Sequence, residues 1–439
     1  MSGEATALLA IVVLIGLILV RIPIAIAMIV VGAAGFGYLA GPLPLLSQLK
    51  TSAFWRFSTY DLSVVPLFML MGHFASRAGL SQDLFRAGNA WVGHLRGGMA
   101  IGAIGACAGF GAICGSSLAT ASTMGQVALP ELRRHGYEPA LATGTLAAGG
   151  TLGILIPPSV ILVIYAIIVE TSIVTMFQAA LIPGLIATLF FSLAVRGYVA
   201  LKPSAGPVGE RASWAERRAA TLAIWPVVLI FALVIGGIYT GIFTPTEAAA
   251  IGTFGIGLTA LVKRRLDRQA LVDCLLETAK ATGMIFLILL GAELLNGFLA
   301  LSQLPAFAVA WIEHQAFAPI SVMLVILVFF LICGCFMDSL SMILLAIPFF
   351  WPMLAEIDFG MSTEDLKVWF GIIALITVEL GLITPPVGLN VFIIHGLAED
   401  VPMSETFRGV LPFLGVELIR VLLLIAFPTI VLIGPKIFG

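Results

Sequence analysis

The sequence predicts an all-α polytopic membrane protein built from two related halves, and three observations support that fold class. Hydrophobic residues make up 60% of the 439 residues, and charged residues only 10%. Apolar runs of about 20 residues, the length of a bilayer-spanning helix, recur along the chain. Helices are expected because hydrocarbon offers no partner to an unpaired backbone group. Finally, a glycine-rich pattern and a Gly…Pro-Pro pattern each occur twice, in the same order.

Composition also excludes several classes of function. The formal net charge is −2 and no basic stripe is present, so nucleic acid is not an expected partner. The five cysteines lie among apolar or small residues, and neither they nor the five histidines show metal-ligand spacing. We therefore expect no cofactor. The first apolar run is interpreted as a retained helix and not as a signal peptide, because Arg21 follows it and no basic residue precedes it.

Basic residues set the expected orientation, since Lys and Arg concentrate in cytoplasmic loops. The acidic segment 355–366 contains neither, so it is placed outside. Four basic groups are placed in the cytoplasm: Arg77, Arg86 and Arg96; Arg133 and Arg134; residues 196–218; and residues 263–268.

The elements of the first half follow from these groups. Helices are predicted over about residues 5–20, from a turn at 21–23 to residue 41, and over 63–80; residues 82–96 predict a helix on the membrane surface. The next apolar stretch has basic residues at both ends, so a single crossing would break the charge rule. GFGAICGSSLATAS (109–122) is therefore predicted to be the tip of a re-entrant hairpin. Irregular backbone at that depth must face protein or a water-filled cavity.

The remaining elements complete two halves of opposite orientation. Residues 139–169 are predicted to cross outward, 173–195 to return, and 196–218 to join the halves in the cytoplasm. Helices follow near 221–240, 246–262 and 282–301. A second hairpin enters from outside, and a last crossing near 410–434 leaves both termini outside.

The repeat is visible in short alignments. AICGSSLATAS (112–122) aligns with LICGCFMDSLS (331–341), and GILIPPSV (153–160) aligns with GLITPPVG (381–388). FQAALIPGL (177–185) resembles FRGVLPFLG (407–415). Each half thus contains a helix, a surface segment, a hairpin, a broken helix and a closing helix. Inverted repeats with interrupted helices at matching positions are typical of secondary transporters.

The interrupted segments offer groups suited to ions. A broken helix leaves free carbonyls on one side, which suit Na⁺, and free amides on the other, which suit an anion. The hairpin tips add side-chain oxygens: Ser116, Ser117 and Thr120 in the first, and Asp338, Ser339 and Ser341 in the second.

Among these residues, Asp338 is the strongest single indication of a functional site. A carboxylate at mid-membrane costs about 2.5–3.5 kcal/mol on insertion scales, so it usually faces a functional cavity. The alternative is that Asp338 only caps the second hairpin helix. Two ordinary proline kinks are the alternative for the breaks at 149–158 and 381–386, but their matching positions weaken it.

Other polar residues are left open or assigned structural roles. Asn390, Glu293 and Glu379 fit either a ligand site or a local hydrogen bond. Thr244-Pro-Thr-Glu247 predicts a capping box, and Glu417 is predicted to pair with Arg420 on one helix face.

Four segments resemble the large membrane subunit of TRAP (tripartite ATP-independent periplasmic) transporters. They are GSSLATASTMGQVALPEL (115–132), GTLGILIPPSVILVIYA (150–166), GIFTPTEAAAIG (241–252) and GLITPPVGLNVFI (381–393). The resemblance runs in order over essentially the whole chain, and the TPTEA and Pro-Pro segments make it specific.

The resemblance implies a member of the ion transporter superfamily in the bacterial inner membrane. It implies elevator-type alternating access driven by a Na⁺ gradient, with Na⁺ as the coupling ion. A periplasmic binding protein would deliver an organic acid, such as a C4-dicarboxylate or a sialic acid. A separate small four-helix membrane subunit would complete the scaffold. The implied division is scaffold with the arm helix at 1–97, transport domain at 98–170, scaffold at 171–317, transport domain at 318–398 and closing scaffold helix at 399–439.

The resemblance also implies where ions and substrate bind. Cation sites lie where a hairpin tip meets a broken helix, and substrate lies between the tips. The implied cation ligands are Gly115, Ser116, Ser117, Gly150, Thr151 and Pro157 in the first half, and Gly334, Asp338, Ser339, Thr384, Pro385 and Asn390 in the second. The implied substrate ligands are Ser117, Thr120, Ser339 and Ser341. The second tip reads CGCFMDS and departs from Gly-Ser-Ser, so a cation there would depend more on Asp338 and carbonyls.

Two other functions compete with this interpretation. A carrier of the same superfamily that transports dicarboxylates or citrate without a binding protein would share most of the pattern, although the TPTEA segment argues against it. An intramembrane protease would use Ser116 or Ser117, and it would need a histidine base such as His395. A channel is disfavoured, because hairpins that enter from both sides suit alternating access.

Overall fold

The structure, a computed structural model, describes residues 2–438, except for the side chains of Trp55 and Arg56. Met1 and Gly439, the ends of the first and last predicted domains, lie outside the described residues. Over the described range the chain is helical, apart from turns and an isolated β-bridge between Arg96 and Val208.

The helices are numbered here in chain order. The first half contains α1 (Gly3–Leu19), α2 (Ile24–Ala40), α3 (Pro42–Ser58), α4 (Val64–Arg77), α5 (Leu80–Val92), α6 (Gly98–Cys114), α7 (Ser117–Arg134), α8 (Pro139–Leu155), α9 (Val160–Ile168) and α10 (Ile173–Leu201). The second half contains α11 (Trp214–Ala223), α12 (Trp225–Tyr239), α13 (Pro245–Val262), α14 (Arg268–Ser302), α15 (Leu304–His314), α16 (Pro319–Gly334), α17 (Ser339–Leu354), α18 (Thr363–Gly381), α19 (Leu389–Leu397), α20 (Met403–Ala426) and α21 (Thr429–Phe438).

Most of these helices match the predicted ones, but three features differ. Helix α3 is not predicted, because its apolar residues are interrupted by polar ones, including Gln48 and Lys50. Helix α14 begins at Arg268 and not near residue 282. The prediction began later because the first turns of α14 contain charged residues, which are not typical of a membrane-spanning segment. Asp267 caps that start by accepting a hydrogen bond of 2.7 Å from Ala270 N. The predicted last crossing near 410–434 is interrupted, because α20 ends at Ala426 and α21 begins at Thr429, with Pro428 in the break.

The join between the halves is shorter than the predicted loop at 196–218. Helix α10 continues to Leu201 and α11 begins at Trp214, so only residues 202–213 connect them. This connection is held in place, because its backbone forms hydrogen bonds with the residues at the two ends of the α6–α7 pair. Gly97 N donates to Gly206 O at 3.1 Å, and Glu138 N donates to Ala205 O at 2.9 Å.

Both predicted hairpins turn at the predicted glycine-rich segments. In hairpin 1 (α6 and α7), Gly115 ends α6 with a φ of +63°, a left-handed conformation that glycine adopts without steric cost. Ser116 follows at once as the N-cap of α7. In hairpin 2 (α16 and α17), residues 335–337 separate Gly334 from the N-cap, Asp338. The second tip is therefore longer, and Ser339, not residue 336, occupies the position that Ser117 has in hairpin 1.

The two predicted breaks are also present. The first broken helix (α8 and α9) bends by 47° around Pro157-Pro158. The second (α18 and α19) is interrupted around Pro385-Pro386, and both Pro-Pro bonds are cis.

Several helices are long and apolar enough to cross a bilayer. Within the described residues these are α10, α13, α14 and α20, and the number rises from four to six if each of the bent pairs α8–α9 and α11–α12 is one span. The opposite orientation of the halves and their division into scaffold and transport domain stay predictions.

Two local predictions are confirmed. Thr244 and Glu247 form the capping box of α13, in which Thr244 N donates to Glu247 Oε2 at 2.8 Å. Glu417 and Arg420 form an ion pair on α20, and both side chains are buried.

Helix α20 crosses α8 closely, because Gly409 lies directly against the backbone of Ala140. Small residues permit such close approach between membrane helices.

We expect Gly409→Ala to destabilise the α8–α20 contact. An added Cβ would lie 1.8 Å from Ala140 O, so the helices must separate. Overpacking of this kind costs about 1–3 kcal/mol. Gly415→Ala on the same helix is the matched control, because nothing lies within 4 Å of its added Cβ. Thermal unfolding of the purified variants measures the difference, and equal midpoints would contradict the expectation.

Candidate functional site

A cavity lies where the two hairpin tips meet helix α4. Its volume is about 180 Å³. Helix α4 contributes one wall, and Ile285 on α14 and the start of α9 close the sides. The tip residues that line it are Cys114, Gly115, Ser116, Ser117, Leu118 and Ala119 from hairpin 1, and Asp338, Ser339 and Leu340 from hairpin 2. The structure therefore brings both predicted tips to one cavity, called here the tip cavity.

Glu379 connects the two tips behind this cavity. It lies on α18 and is fully buried. Ser117 Oγ donates to Glu379 Oε2, and Ser339 Oγ donates to Glu379 Oε1. Both serines are the first residues of their helices, α7 and α17. One carboxylate thus accepts a hydrogen bond from the serine hydroxyl at the equivalent position of each hairpin.

Asp338 has two roles in the structure. As the N-cap of α17 it accepts hydrogen bonds from Ser341 N at 3.0 Å and from Ser341 Oγ at 2.6 Å. It also lines the tip cavity and is only half-buried. An ionised carboxylate has about four acceptor positions, so capping leaves acceptors for a ligand. Capping and ligand binding are therefore compatible for this residue.

The remaining cation ligands predicted for the first half lie together. Ser116 caps α7 by accepting from Ala119 N at 3.4 Å, and Gly115 lies next to Pro158. On the first broken helix, Thr151 Oγ1 donates to Ala148 O at 2.7 Å. Gly150 lies against Ala121 of hairpin 1. The first tip therefore packs on the first break, as the family resemblance implies, with Pro157 inside that break.

The second half shows the same arrangement with one exchange. Gly334 packs against Gly381, and Cys335 O accepts from Gly388 N at 3.2 Å. In the break, Thr384 Oγ1 donates to Leu380 O at 2.6 Å, and Pro385 O accepts from Cys335 Sγ at 3.5 Å.

Asn390 is the residue exchanged between the halves. It is predicted with the second set, yet its Nδ2 donates to Ala147 O of α8 at 3.2 Å, and it lies beside Gly150. Its Oδ1 is buried and accepts no hydrogen bond from the described residues. This oxygen is therefore an available acceptor at the first break.

Two predicted substrate ligands do not line the cavity. Thr120 is buried against Gly153, and Ser341 is occupied by Asp338. Ser117 and Ser339 are the two of the four that reach the tip cavity.

The protease hypothesis gains nothing from the geometry, because His395 Nδ1 lies 3.0 Å from Val401 O and Ser117 is bonded to Glu379.

Sequence reasoning did not identify His73 as a cavity residue and left Glu379 undecided. His73 lies on the α4 wall, and its Nδ1 is 3.3 Å from Glu277 Oε2 on α14. A histidine in an apolar helix gave no spacing signal. Glu379 did give a signal, because a carboxylate inside an apolar run is expensive unless it has partners.

Comparisons with known proteins identify the family of the chain. Residues 11–430 match the family described as tripartite ATP-independent periplasmic transporter, DctM component. The chain is 35% identical over 410 residues to the C4-dicarboxylate TRAP transporter large permease protein DctM of Pseudomonas aeruginosa, covering 91% of this chain and 94% of that protein. It is 32% identical over 381 residues to the sialic acid TRAP transporter large permease protein SiaM of Vibrio cholerae, with coverage of 86% and 87%.

A solved structure has a similar fold. The YdaH transporter of Alcanivorax borkumensis matches with a TM-score of 0.65 and 16% identity, over 88% of this chain and 89% of that one. The relatives are named as transporter permeases and not as enzymes. Together with the apolar helices, these matches make the chain a multi-pass membrane protein. The chain belongs to the DctM family, the large permease component of TRAP transporters.

Proposed function

We propose that this permease carries an organic acid anion through the tip cavity, driven by a Na⁺ gradient. The observation that supports this most directly is the convergence of both hairpin tips on one cavity lined by hydroxyls and a carboxylate. Hard cations such as Na⁺ prefer oxygen ligands, and interrupted helices supply carbonyls as well. The proposed cation ligands are those predicted above for the two tips and breaks, with Asn390 Oδ1 joined to the first set.

The charge of the cavity favours coupling to a cation. Among the described residues that line it, Asp338 is an acid, His73 is the only basic side chain, and neither Lys nor Arg is present. An anion entering such a site needs positive charge from elsewhere. Co-bound Na⁺ supplies that charge, so anion binding and Na⁺ binding would favour each other.

The size of the cavity favours a small substrate. At about 180 Å³ it is smaller than the roughly 300–1,000 Å³ pockets that hold drug-sized ligands. One relative is named for C4-dicarboxylates and another for sialic acid. Between these two classes, the volume favours a short organic acid such as a C4-dicarboxylate.

The proposal includes partners and a mode of movement. A periplasmic binding protein delivers the substrate, and a small membrane subunit completes the scaffold in the bacterial inner membrane, with both termini of this chain on the periplasmic side. The two hairpins and two broken helices move together past α4 in an elevator motion. Packing of each tip on the break of its own half supports their movement as a unit.

Uptake into proteoliposomes tests the proposal. The permease and its small subunit are reconstituted, and radiolabelled succinate, citrate and sialic acid are offered with an inward Na⁺ gradient, with and without the binding protein. We expect uptake of a short acid that requires both Na⁺ and the binding protein. A K⁺ gradient of the same size is the control.

Two other outcomes would change the proposal. Uptake that needs Na⁺ but no binding protein would assign the chain to the self-sufficient carriers of the superfamily. Uptake that is equal in Na⁺ and K⁺ would refute the coupling ion.

A further inference from the structure

The hydrogen bonds of Glu379 determine what Ser117 and Ser339 can offer to the cavity. A serine hydroxyl has one O–H donor and two acceptor lone pairs. In the structure each of these two hydroxyls donates its hydrogen to Glu379, away from the cavity that the same serines line. Only the lone pairs of the two oxygens remain for a ligand in the tip cavity.

Lone pairs suit a cation and not an anion. A substrate carboxylate needs hydrogen-bond donors, and both donors are already used by Glu379. A hard cation needs acceptor oxygens, and two are held ready. The sequence leaves Ser117 and Ser339 in both the cation and the substrate sets, whereas the geometry favours the cation set alone.

The position of Glu379 is also asymmetric between the halves. The alignment of the two Pro-Pro segments places Pro157 on Pro385, an offset of 385 − 157 = 228, so Glu379 corresponds to residue 379 − 228 = 151, which is Thr151. Thr151 bonds within its own helix at Ala148 O. One half thus supplies a carboxylate that serves both tips, and the other half supplies none at that position.

We propose that Glu379 is a shared positioning residue, which fixes Ser117 and Ser339 as cation ligands and couples the cation occupancy of the two hairpin tips. The proposal rests on the proposed function, since it assumes that the tips bind Na⁺. Glu379 does not line the cavity and acts through the serines. Na⁺ at one tip holds its serine in place, and this orders the shared carboxylate for the other tip.

The test is Glu379→Gln, read by Na⁺ binding alone. The glutamine side chain has nearly the same shape, but one of its two terminal groups donates and cannot accept a serine hydrogen. At least one hydroxyl can then no longer donate to residue 379, and its hydrogen is free to turn toward the cavity. Ligand binding raises the unfolding temperature by a stabilisation of RT ln(1 + [Na⁺]/Kd). The unfolding temperature is therefore measured against NaCl concentration at constant ionic strength, with KCl as the balance, and the fitted Kd is the Na⁺ concentration of half-saturation.

We expect Glu379→Gln to raise the Na⁺ half-saturation about tenfold or more, the loss associated with one charge-assisted hydrogen bond. Ser192→Ala is the control for the serine substitutions of the cycle below, because among the described residues the Ser192 hydroxyl donates to Thr188 O of its own helix. Its half-saturation should equal that of the wild type. A purely structural role for Glu379 would lower the unfolding temperature in KCl and leave the half-saturation unchanged, and that result would overturn the proposal.

A second measurement covers the case in which Glu379→Gln does not fold. Ser117→Ala, Ser339→Ala and the double variant form a cycle in the logarithm of the Na⁺ half-saturation. Coupling through Glu379 predicts that the double effect differs from the sum of the single effects, whereas additive effects would refute it. If the wild type shows no stabilisation by Na⁺ over K⁺, the proposed coupling ion fails. If Na⁺ stabilises the wild type and the effects of the two serine substitutions are additive, Na⁺ coupling stands and only the role proposed for Glu379 fails.

Discussion

Replacing Asp338 by asparagine is expected to reduce Na⁺-driven uptake to the level of empty liposomes. The substitution removes the one carboxylate among the described residues that line the tip cavity. Asparagine caps helices about as well as aspartate, so the start of α17 should be preserved. The change therefore separates the charge of Asp338 from its capping role, which Asp338→Ala would not do because it also removes a cap that contributes roughly 1 kcal/mol.

The measurement compares initial uptake rates in proteoliposomes with the amount of folded permease inserted. Glu356→Gln is the matched control, because Glu356 is an exposed carboxylate between α17 and α18. It should transport at the wild-type rate. Uptake by Asp338→Asn at more than half the wild-type rate would show that the carboxylate is only a cap, the alternative that the sequence leaves open. Loss of transport with an unchanged unfolding temperature would show that transport needs the charge of Asp338 and not only its cap.

The positions of the hairpin tips and breaks are predictable from the sequence because their signals are local. Gly115 is needed where the chain turns with a positive φ, and consecutive prolines interrupt a helix wherever they occur. Repetition of these signals in the second half doubles their weight. The chemistry at the tips is also local, since Ser116 and Asp338 are helix N-caps of the preferred residue types.

Contacts between the halves are not predictable in this way. Glu379 meets Ser117 across 262 residues, and Asn390 meets Ala147 across 243. No periodicity or spacing encodes which side chain of one half faces the other. The alignment of Gly115 on Gly334 even misplaces the equivalent serines, because the second tip contains additional residues before its cap. The buried carboxylate signalled that partners exist, and only the packing of the helices identifies them.

Breaking the buried ion pair on α20 is expected to have the largest effect on stability. Arg420 Nε donates to Glu417 Oε2 at 3.0 Å, Nη2 donates to Oε1, and Nη1 donates to Pro183 O of α10 at 3.0 Å. Both side chains are at most 1% exposed. Glu417→Gln removes the carboxylate that pairs with the buried Arg420 guanidinium. Removal of one partner of a buried pair costs about 3–5 kcal/mol.

The same substitution on a pair with an exposed carboxylate is the matched control for this prediction. Glu364 and Lys367 have the same sequence separation on α18, but the Glu364 side chain is 67% exposed, whereas that of Lys367 is 14% exposed. Glu364→Gln should change the free energy of unfolding by about 0–1 kcal/mol, as is usual for surface pairs. Unfolding of the purified variants in detergent micelles measures both changes under identical conditions.

A double substitution distinguishes the cost of an unpaired charge from the value of the pair itself. Glu417→Leu with Arg420→Met removes both charges and keeps similar volume. We expect this variant to be more stable than Glu417→Gln, because apolar replacement of a whole buried pair is often neutral or stabilising. Its remaining deficit would include the loss of the hydrogen bond to Pro183 O, which joins α20 to α10. If the double variant is less stable than Glu417→Gln, the pair itself stabilises the contact between these helices, and the buried charge is not the source of the loss.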